Sequence, residues 1–285
     1  MKKVLPRAPK AYKDMEFLVS PEARVIRILA EYLEPLHRFR KAKIHDTIVF
    51  FGSARTLPRK KASKRLKIAN AKYNSINSLS RSNKIILEQA LMDYEMSRFY
   101  EDGAELAYLL TKWSKSLETE NRFVVCSGGG PGIMEAANKG ARKAGGKTIG
   151  LNISLPHEQY PNAYITPALN FEFHYFFMRK LWFMHLAKGM VMFPGGFGTI
   201  DEMMEILTLI QTQKATKRLP MVLYGQKYWE EVLNLKSLVK YRMVSPNDLN
   251  LITFANTPRE AFNYLKRELS AHHLKNGDAT YLFSE

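Results

Sequence analysis

Two short apolar runs in this chain each stop at a glycine-rich turn and pass into a segment of helical periodicity. The first is Phe123-Val124-Val125-Cys126, followed by Ser127-Gly128-Gly129-Gly130-Pro131-Gly132 and the stretch from Ile133 to Ala144. The second is Met190-Val191-Met192-Phe193, followed by Pro194-Gly195-Gly196-Phe197-Gly198-Thr199 and a stretch from Ile200 to about Gln213. A buried parallel strand reads as such an apolar run, and a strand feeding a helix through glycines is the repeating unit of an α/β sheet. Thr47 to Phe51 supplies a further strand, ending at Gly52-Ser53, and Lys147–Leu151, Leu169–Phe173, Leu219–Tyr224 and Leu251–Phe254 read as four more. Strands alternating with helices over this length predict a doubly wound parallel sheet with helices on both faces, whose ligands sit at the strand C-termini.

Around that sheet, Ser20-Pro21-Glu22 has the form of a helix start, and Val25, Ile26, Leu29, Ala30 and Leu33 follow at helical spacing toward an end near Pro35. Residues 59–82 are rich in Lys, Ser and Asn and read as a polar, basic, mainly helical insertion. From Lys84 to Leu117 apolar residues recur at three- and four-residue steps, with Gly103 as an expected break between two helices. A loop is expected from Pro156 to Pro167. The expected organisation is a basic N-terminal extension with a helix over 1–45 and a single α/β domain over 46–285.

Composition narrows the function classes. With 46% hydrophobic and 25% charged residues the chain can bury a substantial core without disulfides. Its one cysteine, Cys126, excludes an internal disulfide and a multi-cysteine zinc site, and reads as a small buried residue. No apolar h-region follows the basic N-terminus and no stretch approaches the ~18 apolar residues of a spanning helix, so a cytoplasmic protein without a membrane partner is expected. The net charge of +16 is concentrated in residues 1–84, with 21 Lys/Arg against 6 Asp/Glu. The run from Arg59 to Lys67 has no aromatic residue to stack on bases, so a solvated helical face is expected there rather than a nucleic-acid site.

A glycine turn feeding a helix lets the backbone approach an anion closely, with free amides and the positive helix end facing it. Neither turn ends in Gly-Lys-Ser/Thr, and neither completes G-x-G-x-x-G, which favours a phosphate ester smaller than a triphosphate or dinucleotide. The structural alternative is that the glycines only close tight turns. Likewise, Thr199-Ile200-Asp201-Glu202 matches a capping box, and Arg179 with Lys180 could be a snorkelling pair on an apolar helix. His174 and His185 lack metal-ligand spacing and read as polar residues at the core edge, and no metal or cofactor is called for.

Three segments, Ser127-Gly-Gly-Gly-Pro-Gly-Ile-Met-Glu-Ala-Ala-Asn138, Met178-Arg179-Lys180 and Pro194-Gly-Gly-Phe-Gly-Thr-Ile-Asp-Glu202, together resemble the LONELY GUY (LOG) family of nucleotide phosphoribohydrolases, often labelled lysine decarboxylases. The resemblance runs from about Thr47 to Tyr224. It implies a Rossmann-like fold and hydrolysis of the N-glycosidic bond of AMP or a cytokinin riboside 5'-monophosphate, giving free base and ribose 5-phosphate. Arg179 and Glu202 take the catalytic positions. Gly52, Ser53, Gly129, Gly130, Met178, Lys180, Gly195, Gly196, Gly198 and Thr199 take the substrate-binding ones. A homodimer or a higher oligomer of dimers is implied as well, consistent with the aromatic-rich helix around Phe176 to Met184. A pyridoxal-phosphate decarboxylase would need a Schiff-base lysine and a pyridinium partner, and no sequence context marks one. The alternative function is a carrier or sensor of the same fold that binds a nucleotide or a pterin cofactor without hydrolysing it.

Overall fold

The computed structural model describes residues 7–75, 81–118, 121–156 and 160–274. The elements in chain order are α1 (Met15–Val19), α2 (Arg24–Lys41), β1 (Thr47–Phe51), α3 (Arg59–Ser75), α4 (Arg81–Ser114), β2 (Val124–Ser127), α5 (Ile133–Lys143), β3 (Thr148–Ile153), β4 (Asn170–Phe173), α6 (Phe176–His185), β5 (Ala187–Met192), α7 (Phe197–Gln211), β6 (Met221–Tyr224), α8 (Gln226–Val232), α9 (Leu235–Lys240), β7 (Ile252–Ala255) and α10 (Pro258–His273). Every expected strand is present. The parts of the expected insertion and loop at 76–80 and 157–159 lie outside the described residues.

The seven strands form one parallel sheet in the order β4-β3-β2-β1-β5-β6-β7. Alternation along each strand sends side chains to both faces. Val49 and Phe51 join Trp182, Phe183, Met203 and Trp229 of α6, α7 and α8 on one face. Ile48 and Phe50 join Phe99, Leu106, Ile133, Ala137, Leu265 and Leu269 of α4, α5 and α10 on the other. The chain winds outward in one direction from β1 to β4 and in the other from β5 to β7. The order therefore reverses between β1 and β5, and doubly wound sheets bind ligands at such a switch point.

Three sequence expectations are corrected. The first long helix starts at Arg24, because the Arg27 guanidinium binds the carbonyls of Leu18 (2.8 Å) and Ser20 (2.6 Å) and holds the Ser20–Ala23 turn off the helix. It also continues through Pro35 to Lys41. Proline cannot donate to the carbonyl four residues back. That carbonyl, of Glu31, instead accepts the Trp182 indole N–H at 2.9 Å, which ties α2 to α6. The face of α2 that packs carries Ile28, Tyr32, Leu36 and Phe39, whereas Val25, Ile26, Leu29 and Leu33 face solvent.

The second correction is that α4 passes through Gly103 unbroken. Glycine in a helix interior costs about 1 kcal/mol, but α4 packs along α5 and Gly103 is buried there, within ordinary contact of the Phe193 ring and Ala136. Tertiary burial outweighs the local cost. The third concerns α7, which starts at Phe197 rather than Ile200 and so changes the setting of Thr199 and Glu202. Of the two histidines read as core-edge residues, His185 is buried against Trp182 and His174 is exposed. The exposed residues of α3 include Lys60, Lys61, Lys64 and Lys67, while Arg59 stacks on Tyr94 and Arg65 pairs with Asp93 of α4. Among the described residues no helix is long and apolar enough to cross a membrane.

Candidate functional site

The turns after β1, β2 and β5 meet at the switch point and are joined through their backbones. Ser53 donates its N–H to Pro194 O (3.0 Å) and accepts from Ile133 N (3.1 Å), while Phe193 N donates to Phe51 O (2.9 Å). Gly132 is required in this junction. Its φ is +69°, and a Cβ there would fall 2.7 Å from the Ala54 carbonyl carbon.

Behind the second turn lies a buried polar network. Ser127 Oγ donates to Asn138 Oδ1 (2.7 Å) and accepts from Gly129 N (3.1 Å). Asn162 Nδ2 donates to Gly129 O (2.9 Å), Gly130 O (3.1 Å) and Asn138 Oδ1 (2.8 Å). Gly129 and Gly130 thus have their carbonyls engaged in holding the turn. Neither borders the cleft described next.

A cleft of about 270 Å³ opens between these turns, lined by Gly52, Ser53, Arg55, Gly128, Met134, Phe176, Arg179, Gly196, Phe197, Gly198, Thr199, Asp201 and Glu202 among others. A smaller recess of about 170 Å³ shares Ser53, Arg55 and Gly196 with it and adds Asp93, Gly195 and Tyr228. Tyr228 donates its hydroxyl to Gly195 O at 2.8 Å. Of the residues singled out from sequence, Gly52, Ser53, Arg179, Gly196, Gly198, Thr199 and Glu202 therefore meet in one cleft, with Gly195 beside it. Met178 is buried in the core, and Lys180 is not a lining residue but pairs with Asp201 and Glu202, which are. Sequence reasoning placed none of Arg55, Phe176, Phe197 or Asp201 among the site residues. The first marks the end of the β1 turn, and the others lie inside or next to motifs already singled out.

The glycines divide into two kinds. At Gly52, Gly195 and Gly132 an added Cβ would collide with Ile133, Thr199 and Ala54 respectively. At Gly196 and Gly198 it would meet nothing within 4 Å, and neither has a positive φ. The closing of tight turns therefore explains the first set and leaves the second unexplained. Gly196 is the N-cap of α7 with no side-chain cap, and the amides of Phe197 and Gly198 open the helix, where no intrahelical carbonyl reaches back to them.

The capping box expected at Thr199 and Glu202 does not form. With the helix starting at Phe197, Thr199 is its third residue, and its N–H bonds Gly196 O at 3.0 Å. Glu202 lies a turn further in, with only 7% of its surface exposed. Burial raises its carboxyl pKa to about 7, against the pull of Lys180 and Arg179 and with the push of Glu205 and Asp201. Lys180 Nζ sits 2.6 Å from Glu205, 2.7 Å from Asp201 and 3.8 Å from Glu202, which fixes α6 against α7.

Arg179 projects from α6 beside Gly128, where a Cβ would come 3.0 Å from its Nη2. The guanidinium lies over the Phe183 ring at 5.1 Å. Its buried Nε finds no hydrogen-bond partner among the described residues. Burial draws its pKa down and the charge of Glu202 draws it up, and guanidinium stays protonated throughout the working range. Cys126, buried beneath, has its thiol pKa pushed up by desolvation and is inert. The cleft thus combines helix-start amides with no intrahelical partner, a desolvated cation whose Nε has no partner among the described residues, and a buried carboxyl with its pKa raised to about 7.

A larger recess of about 410 Å³ lies at the opposite end of the sheet, lined by Ile210, Lys217, Pro220, Leu251 and Tyr264. Burial lowers the Lys217 pKa to about 7, and its amine closes the C-terminus of α6 by donating to the carbonyls of Met184 and His185. No glycine turn opens there.

Comparison with known proteins bears out the family resemblance. The family model described as "Possible lysine decarboxylase" matches residues 134–265, which include both Met178-Arg179-Lys180 and the Pro194–Glu202 motif. Pyrimidine/purine nucleotide 5'-monophosphate nucleosidases of Escherichia coli strains K12 and O157:H7 are 31% identical over 115 residues, 36% of this chain. The matched part spans 24% of those relatives' length. Among solved structures, TM1055 is 20% identical over 78% of this chain and 99% of its own, with a TM-score of 0.45. The molybdenum cofactor carrier protein of Chlamydomonas reinhardtii is 18% identical over 79% and 99%, with a TM-score of 0.42.

Proposed function

We propose that the chain hydrolyses the N-glycosidic bond of a nucleoside 5'-monophosphate, AMP or a cytokinin riboside 5'-monophosphate, to free base and ribose 5-phosphate, in the cytoplasm. The observation that carries this reading is the pairing of two sterically unneeded glycines at the start of α7 with a buried carboxylate one turn further along it. In this reading the amides of Phe197 and Gly198 bind the 5'-phosphate, with Gly196 and Gly198 leaving the space it fills. Arg179 holds phosphate or ribose hydroxyls through its free Nε. Departure of the base leaves an oxocarbenium-like ribose, which the Glu202 carboxylate stabilises while taking a proton from the incoming water. A carboxyl with a pKa near 7 suits that second task. The nucleosidases sharing the matched segment support the substrate class.

Lysine decarboxylation fits the chain poorly. Lys217, whose amine pKa burial lowers to about 7, lies at the opposite end of the sheet from the phosphate-type turns, and its amine is engaged by two carbonyls. A cofactor phosphate and a Schiff-base lysine would have to share one site.

Two expected results test this reading. The ratio kcat/KM for base release from AMP should fall about tenfold per pH unit below a midpoint near 7, because Glu202 must be ionised. A rate flat from pH 5 to 9 would remove Glu202 ionisation from the mechanism. Gly198→Ala should melt close to the wild type, since nothing lies within 4 Å of an added Cβ. Yet by calorimetry it should lose its preference for AMP over adenosine. An undiminished preference would show that the phosphate lies elsewhere.

We also propose that the chain is a homodimer or a higher oligomer of dimers. Val25, Ile26, Leu29 and Leu33 of α2 and Phe177 and Leu181 of α6 are exposed on two helices already packed together. Large apolar side chains left exposed in such numbers on neighbouring helices are a feature of association sites. Light scattering at micromolar concentration should give at least twice the chain mass of 32.8 kDa, and Leu29→Asp with Phe177→Asp should reduce it. A monomeric wild type would contradict the assignment.

A further inference from the structure

We propose that the Phe197 ring is the platform on which the base of the bound nucleotide stacks, which rests on the reading of the cleft as a nucleoside monophosphate site. Phe197 is 93% exposed, the most exposed of the large apolar side chains in the described structure. It contributes nothing to the core, and no ring, hydrogen-bond or charge contact engages it among the described residues. Its backbone stands at the first position of α7 between Gly196 and Gly198, the two glycines with open space where a side chain would stand. A ligand laid against those glycines therefore comes within reach of this ring.

The other walls of the cleft agree with this assignment. Phe176, the first residue of α6, lines it as well and is half exposed, so each of two helices presents an aromatic residue to the same space. The polar side chains lining the cleft are Ser53, Arg55, Arg179, Thr199, Asp201 and Glu202. No asparagine or glutamine stands among them to read a base edge by a paired donor and acceptor. A base in this cleft is gripped by its faces, and stacking accepts any base because each has a π-face. The site so described takes nucleoside monophosphates as a class, with purines favoured by their larger stacking area.

The experiment compares AMP with ribose 5-phosphate, which has the phosphate and sugar but no base. Calorimetry is run on Glu202→Gln protein, so that AMP is not consumed, with and without Phe197→Ala or Phe197→Trp. Wild-type protein is titrated with ribose 5-phosphate in parallel. Loss of the ring should weaken AMP by roughly 5- to 100-fold and change ribose 5-phosphate by less than twofold, and tryptophan should restore AMP binding. AMP affinity unchanged by Phe197→Ala, or an equal loss for both ligands, would overturn the proposal. So would a loss that tracks a fall in mass by light scattering, since the ring would then be a subunit contact. If neither AMP nor ribose 5-phosphate binds before Phe197 is altered, the nucleotide reading of the cleft itself fails.

Discussion

Replacing Glu202 by glutamine is expected to slow base release from AMP by roughly 10²-fold or more, as loss of a general base or electrostatic stabiliser does. The phosphate contacts assigned to the start of α7 and to Arg179 remain, so AMP binding should largely survive. Stability should move the other way. Burial raises the Glu202 pKa to about 7 from its ordinary 4.5, so the folded state prefers the protonated acid. A group raised in this way contributes stability that is complete below pH 4.5 and is lost as pH rises through 7. Glutamine mimics the neutral acid at every pH. The variant should therefore gain on the wild type by on the order of 3 kcal/mol between pH 4 and pH 8. A thermal melt series over that range, beside chromatography of released base, separates the two roles. A variant that releases base at the wild-type rate would contradict the mechanism. One that is no more stable than the wild type at pH 8 would contradict the burial argument.

The second large effect is expected at Arg179. Its charge helps hold Glu202 ionised, and its buried Nε has no partner within the described chain. Arg179→Met should raise the Glu202 pKa further, shift the acid limb of kcat/KM to higher pH, and lower kcat/KM at pH 7 by roughly 10²- to 10³-fold. Lysine should restore little of this, because an ammonium carries charge without the planar fork that reaches two acceptors. At pH 5, where Glu202 is protonated, the melt should not suffer, since removing a desolvated cation relieves its burial. An acid limb that stays in place would show that Arg179 does not act on Glu202, whatever the rate.

Much of the architecture was legible because buried parallel strands are apolar runs and turns between them are glycine-rich. The switch point between β1 and β5 was not, since strand order is a tertiary property. Pro35 shows how a local rule fails for a physical reason: the carbonyl it leaves unbonded is taken up by Trp182, 151 residues away. The capping boxes are equally instructive. Thr257-Pro258-Arg259-Glu260 forms the box, with Thr257 Oγ1 accepting from Glu260 N at 3.3 Å and the Glu260 pKa lowered by amide donors. Thr199-Ile200-Asp201-Glu202 has the same spelling and forms none, because α7 begins at Phe197 and carries Glu202 into the interior, where its pKa rises. Spacing alone could not separate them. The family resemblance pointed to Glu202, and the helix start explains why this carboxylate does not cap the helix. Met178, Gly129 and Gly130 stand in the same motifs but do not line the cleft: Met178 lies in the core, and the Gly129 and Gly130 carbonyls hold their own turn.

The central claim is that this cleft breaks the bond between base and ribose. Wild-type protein incubated with AMP, GMP, CMP, UMP and a cytokinin riboside 5'-monophosphate, with the nucleosides as controls, tests it most directly by chromatography of the products. The account predicts equal amounts of free base and ribose 5-phosphate from at least one monophosphate, none from its nucleoside, and loss of the reaction in Glu202→Gln. Tight binding of a monophosphate with no base released from any of them would contradict it and leave a carrier or sensor.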